Sequence, residues 1–464
     1  MTRSWLAVVA AAALLLAIVA AFWRESNPPW QTWQARHNAR TEAPPVPVGV
    51  QALVLTRTGD PELCLTCHVG IEDISPSHPA EAFGCVVCHG GEPLALDADR
   101  AHATMRGGRN PSDLSVAAAS CGQADCHGGY ADEERNHVDR VLKSLQATYA
   151  GGIAVLRFTF GAQPSPAAEF GIHAQSDQSK ELPPKALAAL KELPETIVNH
   201  AVDPKFRQNC LNGGCHPWSA ARQEPYYYRG SGCAACHYPY AENGLYQGGD
   251  PTIPADEPGH GAGHRLTTAI TYTQCNHCHN RGNYSLKQMT FLPRDDLPST
   301  PPPPATHEAD DARRLSEYYQ PLAQFTKCEY ELDCADCHTA QEVMGDGHLY
   351  GSKKDAQYVQ CQTCHGTPTT TPRLVTIRED NELAMRRAWL AGRADFLAVG
   401  DRVIETARGE LLWWVKESGS GRLVQVAKAN GEIYDVPLVR GSKCEQDGQS
   451  QTSGYCHQCH AVSR

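Results

Sequence analysis

The sequence predicts a mostly irregular and α-helical chain with one transmembrane helix at its N terminus and a small β-rich insertion near its C terminus. Three observations predict it. Glycine (39) and proline (32) are abundant and aromatic residues make up only 7% of the 464 residues, so turns and loops should outweigh long regular elements. Cysteine (20) and histidine (21) are frequent and fall into repeated short clusters. An unbroken apolar run, Trp5 to Trp23, lies between Arg3 and Arg24.

That run is about as long at helical rise as a bilayer's hydrocarbon is thick, with tryptophans where interfacial aromatics sit. Residues 1–24 therefore read as a transmembrane anchor. The competing reading is a cleaved signal peptide, whose apolar core is usually ~7–15 residues. Residues 25–60, with Pro44, Pro45 and Pro47, read as an extended, semi-rigid tether. Helical periodicity is visible at Asp132–Tyr149, Pro184–Leu193, Ala309–Thr326 and Glu379–Leu397, and Ile153–Phe160 reads as a strand. Four consecutive prolines, Pro301 to Pro304, mark residues 293–307 as a linker between a region 61–292 and a region 308–464. In 402–439, short β-branched and apolar runs are broken by Ser418-Gly419-Ser420-Gly421 and Asn430-Gly431, the pattern of a β-meander.

The chemistry lies in the cysteines. Seven stretches read Cys-x-x-Cys-His: Cys64, Cys67 and His68; Cys85, Cys88 and His89; Cys233, Cys236 and His237; Cys275, Cys278 and His279; Cys334, Cys337 and His338; Cys361, Cys364 and His365; Cys456, Cys459 and His460. Two more have four residues between the cysteines: Cys121, Cys126 and His127; Cys210, Cys215 and His216. This is the attachment signature of c-type haem. Each thiol adds to one vinyl group on the porphyrin edge, and the following imidazole is aimed at the iron. Two intervening residues satisfy that geometry, and four can loop out and still do so. By chance only about one cysteine in the chain would precede a histidine; ten do. Zinc sites need four ligands and do not require a histidine after every second cysteine. A thioredoxin-like redox pair would occur once. Nine covalent haems are expected, six motifs before the linker and three after it.

Twelve histidines lie outside the proximal positions, and there are five methionines including the first residue, so imidazole should fill most sixth positions. His277 and His457 sit inside attachment loops and His37 in the tether. The remaining nine are the candidate distal ligands: His78, His102, His137, His173, His200, His260, His264, His307 and His348. His260 and His264, four residues apart among glycines, compete for one iron. Cys328 and Cys444 are left over, as a disulfide, as two thiols, or with Cys444 opening a very long motif that ends at Cys459. Close motif pairs begin at 64/85, 210/233 and 334/361, each followed by a lone motif, which suggests a three-haem ancestral unit. The expected fold is thus a multihaem cytochrome c fold wrapped around stacked haems that stand in for ordinary core.

Cys334-Ala335-Asp336-Cys337-His338-Thr339 and Met344-Gly345-Asp346-Gly347-His348 resemble stretches of the periplasmic multihaem c-type cytochromes of respiring bacteria, especially metal- and sulfur-reducing lineages. The resemblance implies that His338 is a proximal and His348 a distal ligand. An N-terminal anchor followed by haem motifs is similar to the tetrahaem quinol dehydrogenases, from which this chain differs in haem number and in lacking a methionine near Cys64.

The net charge of −11, with no basic stripe, argues against nucleic acid as a partner. The expected function is electron transport in anaerobic respiration: a membrane-tethered chain of haems on the periplasmic side of the bacterial inner membrane, or secreted after signal cleavage, exchanging electrons with redox protein partners. The alternatives are a reductase or oxidase of a small nitrogen or sulfur compound, and an electron-transfer subunit of a membrane redox complex. Intact mass and pyridine haemochrome of chain made with haem-ligation machinery should give nine haems; seven would mean that the motifs at Cys121 and Cys210 stay empty.

Overall fold

The computed structural model describes residues 2–124, 126–128, 136–194, 202–207, 217–219, 228, 230–241, 245–271, 274–275, 291–293, 319–321 and 332–442. The chain divides into two compact units. One comprises Met1–Pro111, Arg222–Arg229 and Tyr238–Leu266, the other Ser112–Ala221, Gly230–His237 and Thr267–Arg464.

In the first unit, the helix Thr2–Ser26 exposes large apolar side chains, among them Leu14, Leu16 and Phe22. Among the described residues no helix is long and apolar enough to cross a membrane. This corrects the expected transmembrane anchor and, with it, placement on the periplasmic side of a membrane through that helix. Part of the segment read as an extended tether is the helix Pro29–Arg40, with proline at its first turn, where a missing N–H costs nothing. Its buried Gln34 donates to the carbonyls of Gly49 (2.7 Å) and Thr66 (2.9 Å) and accepts from Gly49 N–H (2.9 Å). A fully satisfied buried amide of this kind holds a helix of weak propensity in place.

In the second unit, the largest sheet has five antiparallel strands in chain order: Leu374–Thr376, Arg402–Glu405, Leu411–Glu417, Leu423–Val426 and Ile433–Val436. It is a meander one strand larger than the expected insertion, since Leu374–Thr376 pairs with Arg402–Ile404. Leu412, Trp413, Trp414 and Val415 are buried in succession. Successive strand residues point to opposite faces, so both faces of this strand are covered. The helix Glu382–Leu390 packs against it, and the turn Cys334–Cys337 receives the Trp414 indole N–H through the Asp336 carbonyl at 2.7 Å. Ile377, Ala384, Ala388, Phe396, Val403, Ile404, Leu423 and Val436 complete an ordinary apolar core.

The expected fold of helices and irregular chain wrapped around stacked haems is therefore corrected. Many of the helices are only four or five residues long, several sheets are present, and this part of the chain buries its own side chains. Two local expectations also change. Pro184–Leu193 is not a helix but the strands Ala186–Leu187 and Ala189–Glu192. Pairing with Leu349–Tyr350, Gln175–Ser176 and Phe170–Gly171 overrides the helical propensity of its Ala, Leu and Lys. Ile153–Phe160 is not a strand but lies almost wholly in the helix Ala150–Thr159, which buries Ala150, Ile153, Ala154 and Arg157 on one face. The Arg157 guanidinium pairs with buried Asp203 and lies 4.4 Å from the Phe170 ring centre. Helix also forms at His137–Lys143, Leu145–Thr148 and Glu382–Leu390, within two of the segments read as helical. Ala309–Thr326 lies outside the described residues except for the strand Tyr319–Pro321, and 293–307 except for Pro293.

Leu412 is fully buried at the centre of the five-stranded sheet. Leu412→Ala should destabilise the chain by about 2–5 kcal/mol through lost burial and a residual cavity, read as a lower denaturation midpoint in urea.

Candidate haem-attachment sites

The attachment turns share one backbone device. The N–H of the histidine donates to the carbonyl of the first cysteine: His68 to Cys64 (3.0 Å), His89 to Cys85 (2.9 Å), His237 to Cys233 (3.0 Å) and His338 to Cys334 (2.8 Å). The longer motif closes with the same bond, His127 N–H to Cys121 at 2.9 Å. Its extra residues loop out, with Cys126 N–H returning to the Gln123 carbonyl at 2.9 Å. Both spacings thus close with the histidine N–H on the first cysteine's carbonyl, across four residues in the short motifs and six in the long one.

Caps and glycines fix where each turn starts. The buried Glu62 carboxylate accepts from Cys85 N–H at 2.6 Å and from Val86 N–H at 3.3 Å. Gly84, immediately before Cys85, has φ 70, and a Cβ there would run into that carboxylate. Gly232, immediately before Cys233, has φ 60 and lies against the Ser112 carbonyl. The same Ser112 accepts from Cys233 N–H (3.2 Å) and, through its hydroxyl, from Ala234 N–H (2.9 Å). At the turn of Cys334, the first after the linker, Asp333 and Asp336 form a capping box.

The imidazoles are held by one nitrogen. His68 Nδ1 lies 2.7 Å from Asp250 Oδ2, His237 Nδ1 2.8 Å from the Thr267 carbonyl, His338 Nδ1 3.0 Å from Glu342 Oε2, and His365 Nδ1 2.7 Å from the Pro437 carbonyl. Among the distal candidates, His264 Nδ1 lies 2.9 Å from the Glu72 carbonyl and His348 Nδ1 2.8 Å from buried Asp177. His78 Nδ1 lies 2.9 Å from Ser75 Oγ. A carbonyl or carboxylate on Nδ1 selects the tautomer with its lone pair on Nε2 and fixes the ring plane, as around metal-ligating histidines. Burial pushes the His68 imidazole down and Asp250 more than offsets it, so its pKa ends above the ordinary value.

Three proximal imidazoles face a distal candidate. Ring centres are 6.1 Å apart for His68 and His102, 6.0 Å for His89 and His264, and 5.1 Å for His127 and His137. With a metal–nitrogen bond of ~2 Å and a ring centre about 1.1 Å beyond the nitrogen, two imidazoles across one iron have centres about 6 Å apart. Two pairs meet that spacing and the third is about 1 Å closer. His89 Nδ1 and His137 Nδ1 are buried without a hydrogen-bond partner. Burial and the neighbouring histidine push His89 down to about 4 and His137 to about 3, so both rings are neutral and able to ligate. The residues present therefore fit the group the motifs imply.

Other candidates stand differently. His260 turns its Nε2 to Glu257 at 3.4 Å and stacks on Tyr228 with ring centres 4.1 Å apart. Of the two competing histidines, His264 is the one that faces a proximal imidazole. His173 sits edge-on to Trp218 at 4.3 Å and is half-exposed beside Glu192. Cys210, Cys215, His216, Cys278, His279, Cys456, Cys459, His460, His200 and His307 lie outside the described residues, as do His277, Cys328, Cys444 and His457.

Sequence reasoning missed the acceptors: Asp250, Glu72, Asp177 and the carbonyls of Thr267 and Pro437. Glu342 alone was findable, four residues after His338 on a helix whose N-cap is Thr339. It also missed how the five-stranded sheet grips the turn at Cys334. The Asp336 carbonyl accepts from Trp414 and, at 3.1 Å, from the Gln425 amide, and the Asp336 carboxylate accepts Lys428 N–H at 2.7 Å. Lys428 Nζ lies 3.2 Å from the Trp414 ring centre and donates to the Ala335 carbonyl.

No family model, curated protein or solved structure matches this chain.

Asp250→Ala should leave the haem count of the loaded chain unchanged and raise one midpoint potential, because a carboxylate on Nδ1 makes the imidazole a stronger donor to the oxidised iron. Spectroelectrochemical titration reads this; nine unmoved midpoints would contradict the assigned role of Asp250.

Proposed function

We propose that this chain is a c-type multihaem electron carrier that binds nine covalent haems and passes single electrons between redox protein partners. The observation that carries the reading is the facing of proximal and distal imidazoles at the two-ligand spacing: His68 with His102 and His89 with His264. Repetition of the attachment motif and the resemblance to multihaem cytochromes support it. So do the Nδ1 hydrogen bonds at His237, His338, His365 and His348, where no described partner ring faces the site.

When bound, haem supplies reversible one-electron chemistry at its iron. The chain's residues do the rest. The two cysteines of each motif would hold the group covalently, and the adjacent histidine would ligate its iron. A second histidine, His102 beside His68 and His264 beside His89, would ligate it too, which favours a carrier over a reductase. Two imidazoles also place the potential below that of histidine–methionine ligation. Asp250 and Glu342 keep their imidazoles from rotating, so little rearrangement accompanies a change in iron charge.

Carbon monoxide tests this reading. The reduced wild-type chain should show almost no spectral change with the gas, whereas His102→Ala and His264→Ala should each open one iron and bind about one equivalent. Strong binding by the wild type would overturn the carrier reading in favour of a catalytic site.

A further inference from the structure

Six of the attachment cysteines meet in pairs, and each pair joins two different motifs. The thiols of Cys64 and Cys85 lie beside one another, as do those of Cys121 and Cys233 and those of Cys275 and Cys334. In each case it is the first cysteine of one motif against the first cysteine of another. Cys64 Sγ, Cys85 Sγ and a Glu62 oxygen lie within 4.8 Å of one another. All of these cysteines are free thiols.

The backbone accounts for each meeting. Glu62, two residues before Cys64, caps the turn that begins at Cys85. Ser112, nine residues before Cys121, holds the N–H groups of Cys233 and Ala234. Its neighbour Asp113 accepts from the Ser231 hydroxyl at 3.0 Å. A further link runs from Gln274, whose amide donates to the Cys236 carbonyl at 3.2 Å and so ties the motif at Cys233 to the one at Cys275.

We propose that these contacts set which haems are neighbours: the site at Cys64 adjoins the site at Cys85, and the sites at Cys121, Cys233, Cys275 and Cys334 form a row in that order. The inference rests on the haem reading above. In attachment the thiol adds across a vinyl group, sulfur to one carbon and the proton to the other. The sulfur therefore ends one carbon from the ring edge, and sites whose sulfurs touch hold adjacent rings. Packing of small apolar thiols would also bring cysteines together, but it gives no reason for the first cysteine to meet the first three times. The row puts Cys121 next to Cys233, although the motif at Cys210 lies between them in the chain.

Double-variant cycles on the loaded full-length chain test it. Cys121→Ser with Cys126→Ser, and Cys233→Ser with Cys236→Ser, should each remove one haem by intact mass. Their effects on the remaining midpoint potentials should be non-additive when combined, because each site senses the charge of the other. Combination of the Cys121 pair with Cys334→Ser and Cys337→Ser, at the other end of the row, should be closer to additive. Additive effects within the Cys121/Cys233 cycle would overturn the row. If a variant does not fold, a crystal structure of the loaded wild-type chain decides, since a different nearest ring for any of these sites overturns the proposal. A wild-type chain without haem by mass would instead overturn the underlying haem reading.

Discussion

An imidazole binds a metal through Nε2 in a better-fixed direction when something else holds Nδ1. That constraint recurs across the described part of this molecule, although His89 and His137 leave Nδ1 without an acceptor. At His68, His237, His338 and His365 the Nδ1 acceptor is a carboxylate or a backbone carbonyl, and in three of the four it comes from distant chain: Asp250, Thr267 and Pro437. The acceptors are themselves fixed. Asp250 Oδ1 takes the Thr252 N–H and hydroxyl at 2.9 and 2.8 Å, and the Asp250 N–H donates to the Tyr246 hydroxyl at 3.0 Å. Glu342 takes the N–H groups of Tyr358 and Val359 on the oxygen that does not meet His338. The folded chain thus spends buried polar groups, which must be satisfied in any case, on ring orientation.

The five-stranded sheet serves the same end. Its core is self-sufficient, with Leu412, Val415, Val403 and Ile404 fully buried. Its rim reaches two attachment turns. Trp414, Gln425 and Lys428 converge on Asp336 inside the turn at Cys334. Pro437 accepts from His365, and Val439 N–H donates to the His365 carbonyl at 2.9 Å. A turn of four or five residues has almost no stability of its own, so it needs a rigid neighbour to hold two thiols and an imidazole in register. Lys428 shows the cost: burial lowers it to about 8 even though Asp336 and Glu410 oppose the shift.

Legibility followed the range of the interaction. Thiol, thiol and imidazole lie within a few residues, so the clusters themselves could be read directly, including the longer one, which closes with the same His127–Cys121 backbone bond as the shorter ones. The β character of 402–439 was readable from its turns and β-branched runs, but the strand Leu374–Thr376 was not, because its partner is long-range. Pro184–Leu193 misled for the same reason: the helical alternation of Ala, Leu and Lys is local, while pairing of Ala186 with Tyr350 is not. At Ile153–Phe160, β-branched and aromatic residues suggested strand, yet Arg157 and Ile153 share a helical face that must be buried with Asp203 and Phe170. The expectation that porphyrins replace the core overlooked how many apolar residues after Arg373 could pack on one another.

By itself the sequence determined the inventory: which cysteines and histidines stand in the repeated Cys-x-x-Cys-His and longer motifs, and how many histidines lie outside them. Those facts depend on covalent spacing and on composition, which folding does not alter. Only the tertiary structure decided that His102 faces His68 and His264 faces His89, that His260 turns to Glu257 instead, and that Asp250 and Asp177 hold their imidazoles. Each of these is a meeting of residues far apart in the chain, selected by shape and by satisfaction of buried polar groups, and neither leaves a periodicity to read.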